Sequence, residues 1–335
     1  MFPKPSTVLF FITLLSGTLM SVSSTTWMGA WMGLEINMLS FIPLISNSSN
    51  QRTTESSIKY FIIQAIGSVV IITVALTSVT MSSLFHSWVL SSPLILALLL
   101  KSGAAPLHFW FPGVMEGMNW MNCMTLMTWQ SVAPLALISY TNSPQILLSS
   151  AILSGFVGAL GGLNQTLLRK LMAYSSIGHM GWMLASMNSS ETFWLMYLMV
   201  YSLLSIAVAS AFNSTNSFHI GQFFQAQMPN NMTKYLLNTN LLSLGGLPPF
   251  LGFFPKWMAI QVIMTNSPLT TIMLILAALI NLFYYIRLTF SAFITTTYNQ
   301  KWSIKTRLQP NLGPETIMAV LSMTSLLMIP MIWPL

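Results

Sequence analysis

Apolar residues run along this chain in about eleven stretches, near residues 5–23, 26–46, 58–80, 90–111, 119–141, 145–167, 170–188, 192–212, 234–264, 268–292 and 314–334. Most are close to the roughly 20 residues that a helix needs to cross hydrocarbon. Only helices and closed barrels can satisfy their own backbone at that depth, so the pattern predicts an all-α polytopic membrane protein with about 11 transmembrane helices. The connections are short except for polar stretches at about 213–233 and 293–313, which leaves no room for a soluble domain. The expected organisation is one transmembrane domain over 1–335.

Composition agrees with this reading: 54% of residues are hydrophobic and only 5% charged, with a mean hydropathy of +0.70. All five acids are glutamates, and the formal charge is +7. The basic residues are scattered singly among apolar helices rather than gathered on a face, so nucleic acid is not an expected partner. With eleven crossings, Lys4, Arg52, Lys59, Arg169, Lys170, Lys234, Lys301, Lys305 and Arg307 all fall at the amino terminus or in loops on its side. That is the positive-inside pattern, and it predicts an inside amino terminus and an outside carboxyl terminus. The single Cys123 excludes a disulfide within the chain and spells out no metal cluster,. No cleavable leader is expected, because Met-Phe-Pro-Lys-Pro runs straight into the first apolar stretch,.

Two stretches are punctuated as ordinary spans are not. The fourth contains Lys101-Ser-Gly103-Ala-Ala-Pro106-Leu-His108-Phe-Trp-Phe-Pro112, and the ninth contains Gly245-Gly246-Leu-Pro248-Pro249-Phe-Leu-Gly252-Phe-Phe-Pro255-Lys256. Proline removes a backbone donor and clashes with the carbonyl four residues earlier, near Ser102 in one stretch and near Leu244 and Gly245 in the other. Both helices should be broken. A break in hydrocarbon is tolerated only where it is buried in protein or lines a wet cavity, so the freed carbonyls and the two lysines are expected to share hydrated space. If helices 1 to 5 (about 5–141) and 6 to 10 (about 145–292) are repeats, both breaks take the fourth place. An odd number of helices makes such repeats inverted, with the helix at about 314–334 appended. Paired interruptions in inverted halves point to a transport site.

Glu35 stands at the centre of the second stretch, in Trp31-Met-Gly-Leu-Glu35-Ile-Asn37. A buried carboxyl and a buried lysine each resist charging when alone and favour it when together, so Glu35 near Lys101 could exchange a proton as distance or hydration changes. A static ion pair joining two helices is the other reading. For each lysine the other reading is a side chain that snorkels to the headgroups. His179 lies mid-helix among hydroxyls and titrates nearest neutrality, as a relay or as a packing histidine; His108 has the same two readings.

Taken together, these stretches carry a resemblance that spans the whole chain. Further segments join it: Lys59-Tyr-Phe-Ile-Ile-Gln64-Ala, Thr128-Trp-Gln-Ser131-Val-Ala-Pro134, and Gly162-Leu-Asn-Gln-Thr-Leu-Leu-Arg169-Lys170 running on to His179-Met-Gly-Trp182. In order and spacing the chain resembles the chain 2 family of mitochondrial NADH:ubiquinone oxidoreductase, respiratory complex I, in its invertebrate form. The resemblance implies an antiporter-like subunit of the membrane arm in the mitochondrial inner membrane, with its amino terminus in the matrix and its carboxyl terminus in the intermembrane space. It implies two inverted five-helix repeats with helices 4 and 9 broken, and a Glu35 and Lys101 pair with Lys256 in the other half of a proton relay. Other membrane-arm subunits and lipids are the implied partners, and protons the transported species. NADH, flavin, iron-sulfur clusters and ubiquinone are then bound by other subunits, with no cofactor in this chain. The family usually has lysine where this chain has Ser131, so the central link is expected to be a water near Ser131, aided by His179. Two other functions stay open: a free-standing cation/proton antiporter, and a non-pumping structural spacer of the same complex.

Overall fold

In the computed structural model, residues 5–296 are described except 48, 81–86, 142, 191 and 226–230, and at 79, 87–90, 224–225, 231–236 and 291–296 only the backbone is described. The expected helix at 314–334 lies outside the described residues, as do Lys4, His86, Lys301, Lys305 and Arg307. Among the described residues the regular structure is helical, apart from one isolated bridge between Leu167 and His219. Among the described residues six helices are long and apolar enough to cross a membrane. The chain divides into two compact units between Ser154 and Gly155.

The first unit holds α1 (Pro5–Ser23), α2 (Trp27–Ile45), α3 (Gln51–Thr80), α4 (Ser87–Ser102), α5 (Trp110–Gly117), α6 (Trp120–Met127), α7 (Trp129–Ser139) and the start of α8 (Pro144–Gly162). α2 begins at Trp27 because Thr26 is extended and its hydroxyl accepts from the Gly29 amide, a serviceable N-cap. α1 and α2 touch backbone to backbone: a Cβ on Gly33 would stand 2.5 Å from the Ser21 nitrogen and 2.8 Å from the Gly17 carbonyl oxygen. Without a hydrophobic drive between helices in lipid, such small-residue contacts supply much of the association. α3 packs on α2, α4 and α5, while α7 packs on α1, α4 and α6.

The second unit holds the rest of α8 with α9 (Leu168–Met187), α10 (Phe193–Ser214), α11 (Ile220–Gln225), α12 (Asn231–Gly245), α13 (Phe253–Asn266) and α14 (Pro268–Thr296). α9 is its centre. Every residue from Ser175 to Met187 is buried, and α10, α13 and α14 all pack against it. α9 is less apolar than the six spans because its polar side chains are satisfied inside: Ser175 and Ser176 donate to the carbonyls of Met172 and Ala173. Gly158 on α8 meets Gly178 on α9 as closely as Gly33 meets Ser21, with 2.5 Å from the built Cβ to the Gly178 nitrogen. The polar stretch at 213–233, expected to be a plain connection, contains the short α11. Its approach is held to the α8–α9 loop by backbone bonds from Leu168 to Phe218 and from Ile220 to Thr166, and Arg169 lies 4.7 Å over the Phe218 ring.

Three expected spans are interrupted. The stretch at 90–111 becomes α4 and α5, and the stretch at 234–264 becomes α12 and α13. The stretch at 119–141 is divided into α6 and α7 at Thr128, whose φ of −107° and ψ of −66° depart from the helix.

Candidate functional site

The first break begins earlier than its proline. α4 ends because Gly103 adopts a left-handed φ of 76°, a conformation that is costly for any residue with a Cβ. The Gly103 amide turns back to the Leu100 carbonyl and the Ala104 amide to that of Leu99, which is the Schellman arrangement. Pro106 then lies outside the helix, so the end of α4 is set by Gly103 rather than by proline sterics. Two carbonyls of the last α4 turn, those of Leu100 and Lys101, accept from neutral side chains. The Trp110 indole donates to Leu100 O at 2.9 Å, and the Gln64 amide donates to Lys101 O at 3.2 Å.

Lys101 is 6% exposed, buried in protein rather than reaching outward. It lines a cavity of about 20 Å³ together with Asn37, Tyr60, Gln64, Gln130 and Ser131, room for about one water molecule. Polar groups of the wall are already linked: Gln130 Nε2 donates to Asn37 Oδ1 at 2.9 Å, and Tyr60 donates to Gln130 Oε1 at 3.5 Å. Ser131 donates to the Thr128 carbonyl at 2.7 Å, which leaves its oxygen lone pairs for the cavity. Glu35 is half-buried, its Oε2 has no hydrogen-bond partner, and its charge acts on Lys101. His108, in the broken segment, has Nδ1 3.2 Å from the Pro106 carbonyl oxygen, a local contact of the turn.

The second break has the same backbone. Gly246 has φ 84°, its amide reaches Ser243 O, and the Leu247 amide reaches Leu242 O. The carbonyls met by a side chain lie one place nearer the glycine than in the first break, at Leu244 and Gly245. Here the donor is Lys256 itself, with Nζ 2.8 Å from Gly245 O and 3.4 Å from Leu244 O. Lys256 is 7% exposed. Its charge acts on His179, whose Nδ1 lies 3.0 Å from the Tyr197 hydroxyl and whose ring lies 4.9 Å from that of Tyr201.

The breaks therefore match, but the lysines do not. Measured from Gly103 and Gly246, prolines follow at the third and ninth places in both segments: Pro106 and Pro112, Pro249 and Pro255. Lys101 precedes its glycine on the incoming helix, whereas Lys256 lies on the outgoing helix at the place that Gly113 takes in the first segment.

The model for the NADH:quinone oxidoreductase/Mrp antiporter transmembrane family matches residues 24–281, and that for the NADH dehydrogenase subunit 2 C-terminus matches 282–333. NADH-ubiquinone oxidoreductase chain 2 of Anopheles gambiae is 46% identical over 338 residues, covering 98% of each chain, and that of Locusta migratoria is 39% identical, covering 98% and 97%. The chain belongs to the NADH-ubiquinone oxidoreductase chain 2 family. In fold it is similar to a chain of respiratory complex I from Thermus thermophilus with bound aureothin, with TM-score 0.83 and 21% identity over 98% of this chain and 80% of the other. A chain of the Mrp complex from Dietzia sp. matches with TM-score 0.79 and 13% identity, over 96% and 75%.

Within this chain 2 family member, both lysines stand at breaks, with Glu35 and Ser131 near the first and His179 near the second. Sequence reasoning missed Gln64 and Trp110, which satisfy the first break, and Tyr197 and Tyr201, which flank His179. Gln64 was legible only as part of a resembling segment, because an amide four turns into an apolar helix reveals a need for a partner but not which one. Among the described residues no cluster of three or more His, Cys, Asp or Glu could hold a metal ion.

Proposed function

We propose that this chain is a membrane-arm subunit of the proton-translocating NADH:ubiquinone oxidoreductase, in which Glu35, Lys101 and Lys256 carry a proton relay. The observation that carries the reading is the pair of buried amines, each at a helix break of the same backbone geometry. A charge at such depth is expensive and marks an ion path by default. Redox energy released in other subunits shifts charge along the buried groups, changes the balance between Glu35 and Lys101, and drives protons across the membrane. NADH, flavin, iron-sulfur clusters and ubiquinone are handled by those other subunits.

On this reading the helices form two inverted repeats, about 5–141 and 145–292, followed by a last span at 314–334. α4 with α5, α6 with α7, and α12 with α13 each count as one crossing. The amino terminus faces the matrix of mitochondria, and lipids cover the outer apolar faces. Ser131 orders a water in the cavity beside Lys101 and so replaces the amine that the family usually carries there; the cavity volume supports this,. His179 serves the second half through its place beside Lys256.

The deciding experiment separates gently solubilised native membranes by size and follows this chain by mass spectrometry alongside NADH-oxidising activity. Co-migration in one very large assembly is expected. A small separate species would establish the free-standing antiporter instead. Ser131 favours one further reading, a non-pumping spacer, because a hydroxyl cannot hold a proton as an amine does. Glu35→Gln decides between them: the relay requires pumping to fall while the assembled complex still oxidises NADH, and unchanged pumping would establish the spacer.

A further inference from the structure

The two breaks solve one problem with different donors. In the first, the Leu100 and Lys101 carbonyls accept from the neutral Trp110 indole and Gln64 amide, and the Lys101 amine takes no part in the cap. In the second, the place of Trp110 is taken by Phe253, which has no donor. The Lys256 amine holds both carbonyls instead. The amine lies in the space that a side chain at Gly246 would occupy. A Cβ built there would lie 2.8 Å from Lys256 Nζ, 2.9 Å from Cδ and 3.2 Å from Cε. The backbone beside the seat is closely packed, since a Cβ built on Gly252 would run into the Ser243 carbonyl of the last α12 turn.

We propose that Gly246 is a positioning residue for Lys256: its missing Cβ makes the seat in which the amine docks on the Leu244 and Gly245 carbonyls. The inference rests on the relay reading above and extends it. Lys256 is both a proton carrier and the cap of a broken helix, so each departure of the amine from its seat leaves two carbonyls for water to satisfy. The first break has no such dependence. The positive φ alone does not explain the glycine, because Asn216 adopts φ 50° in this same chain.

Gly246→Asn is the informative variant, since asparagine tolerates left-handed backbone but carries a Cβ. It is compared with Lys256→Ala and with the double variant, as the assembled complex in sealed membrane vesicles of a tractable relative bearing the same segment. The titratable groups brought here by packed helices are His179 on α9, Tyr197 and Tyr201 on α10 and Tyr284 and Tyr285 on α14; the described side chains of α12 include none. Gly246→Asn should retain NADH oxidation within about twofold, lose at least half of the pumping that Lys256→Ala loses, and shift the pH profile of pumping. Its loss of thermal stability should largely disappear in the Lys256→Ala background, where the Cβ enters vacated space. Wild-type pumping with an unshifted pH profile, or an equal stability loss in both backgrounds, would overturn the proposal. If Gly246→Asn does not assemble, restored assembly in the double variant supports the seat and continued failure refutes it. Full pumping by Lys256→Ala would instead sink the relay reading, and the stability comparison would still decide whether Gly246 seats the lysine.

Discussion

Lys101 and Lys256 look interchangeable as charges but differ in what surrounds them. Lys101 lines a water-sized cavity, while Lys256 is bound to backbone oxygens. The partners of the first break give a test at this scale. Gln64→Leu removes the amide that donates to Lys101 O and leaves a buried acceptor short of a partner, a loss of about 1–3 kcal/mol. Thermal unfolding of the assembled complex should move to lower temperature, with less effect from Gln64→Asn, which keeps an amide donor on a shorter arm, than from Gln64→Glu, whose carboxylate cannot donate to the carbonyl. Ser131→Ala removes the lone pairs that face the cavity while keeping its volume. Pumping per NADH oxidised should fall; wild-type coupling in this variant would show that the Ser131 oxygen orders no water in the path.

At the scale of helices, close approach rather than apolar area sets the positions of the functional side chains. Gly33 lets α1 and α2 meet backbone to backbone, and this fixes the face on which Glu35 and Asn37 stand. Gly158 does the same for α8 and α9, beneath His179. Gly33→Ala must push the Ser21 backbone away, an overpacking cost of about 1–3 kcal/mol, with loss of assembly yield as the measurement. Gly113→Ala should cost far less, because nothing lies within 4 Å of a Cβ built there. The α4 break was legible as a break, since Pro106 and Gly103 are both in the sequence. Its place was not legible, because proline sterics and the left-handed glycine predict different ends, and the glycine won by satisfying two carbonyls in the Schellman turn.

For the whole molecule, the one-sided distribution of Lys and Arg predicts which loops face the matrix. Cys123 is fully buried, so it should stay silent to membrane-impermeant thiol reagents. Single cysteines placed at Asn47 and Gln165 should then react only from the matrix side, and one at Ser190 only from the opposite side. Labelling of Asn47→Cys from outside would overturn the assigned topology.

Composition and apolar period were enough to determine a helical membrane protein, because backbone in hydrocarbon has few other ways to satisfy itself. Single residues at depth, Glu35, Lys101 and Lys256, were visible for the same reason, because a charge in an apolar stretch is costly; whether each was paired, snorkelling or part of a path stayed open in one dimension. Their partners were decided only by tertiary structure. Gln64 reaches Lys101 O across 37 positions, and Gln130 reaches Asn37 across 93. Local pattern holds no information about such distances. The unequal roles of the two lysines depend on which arm of a break each occupies, and that became visible only when the left-handed glycines, not the prolines, marked where the helices end.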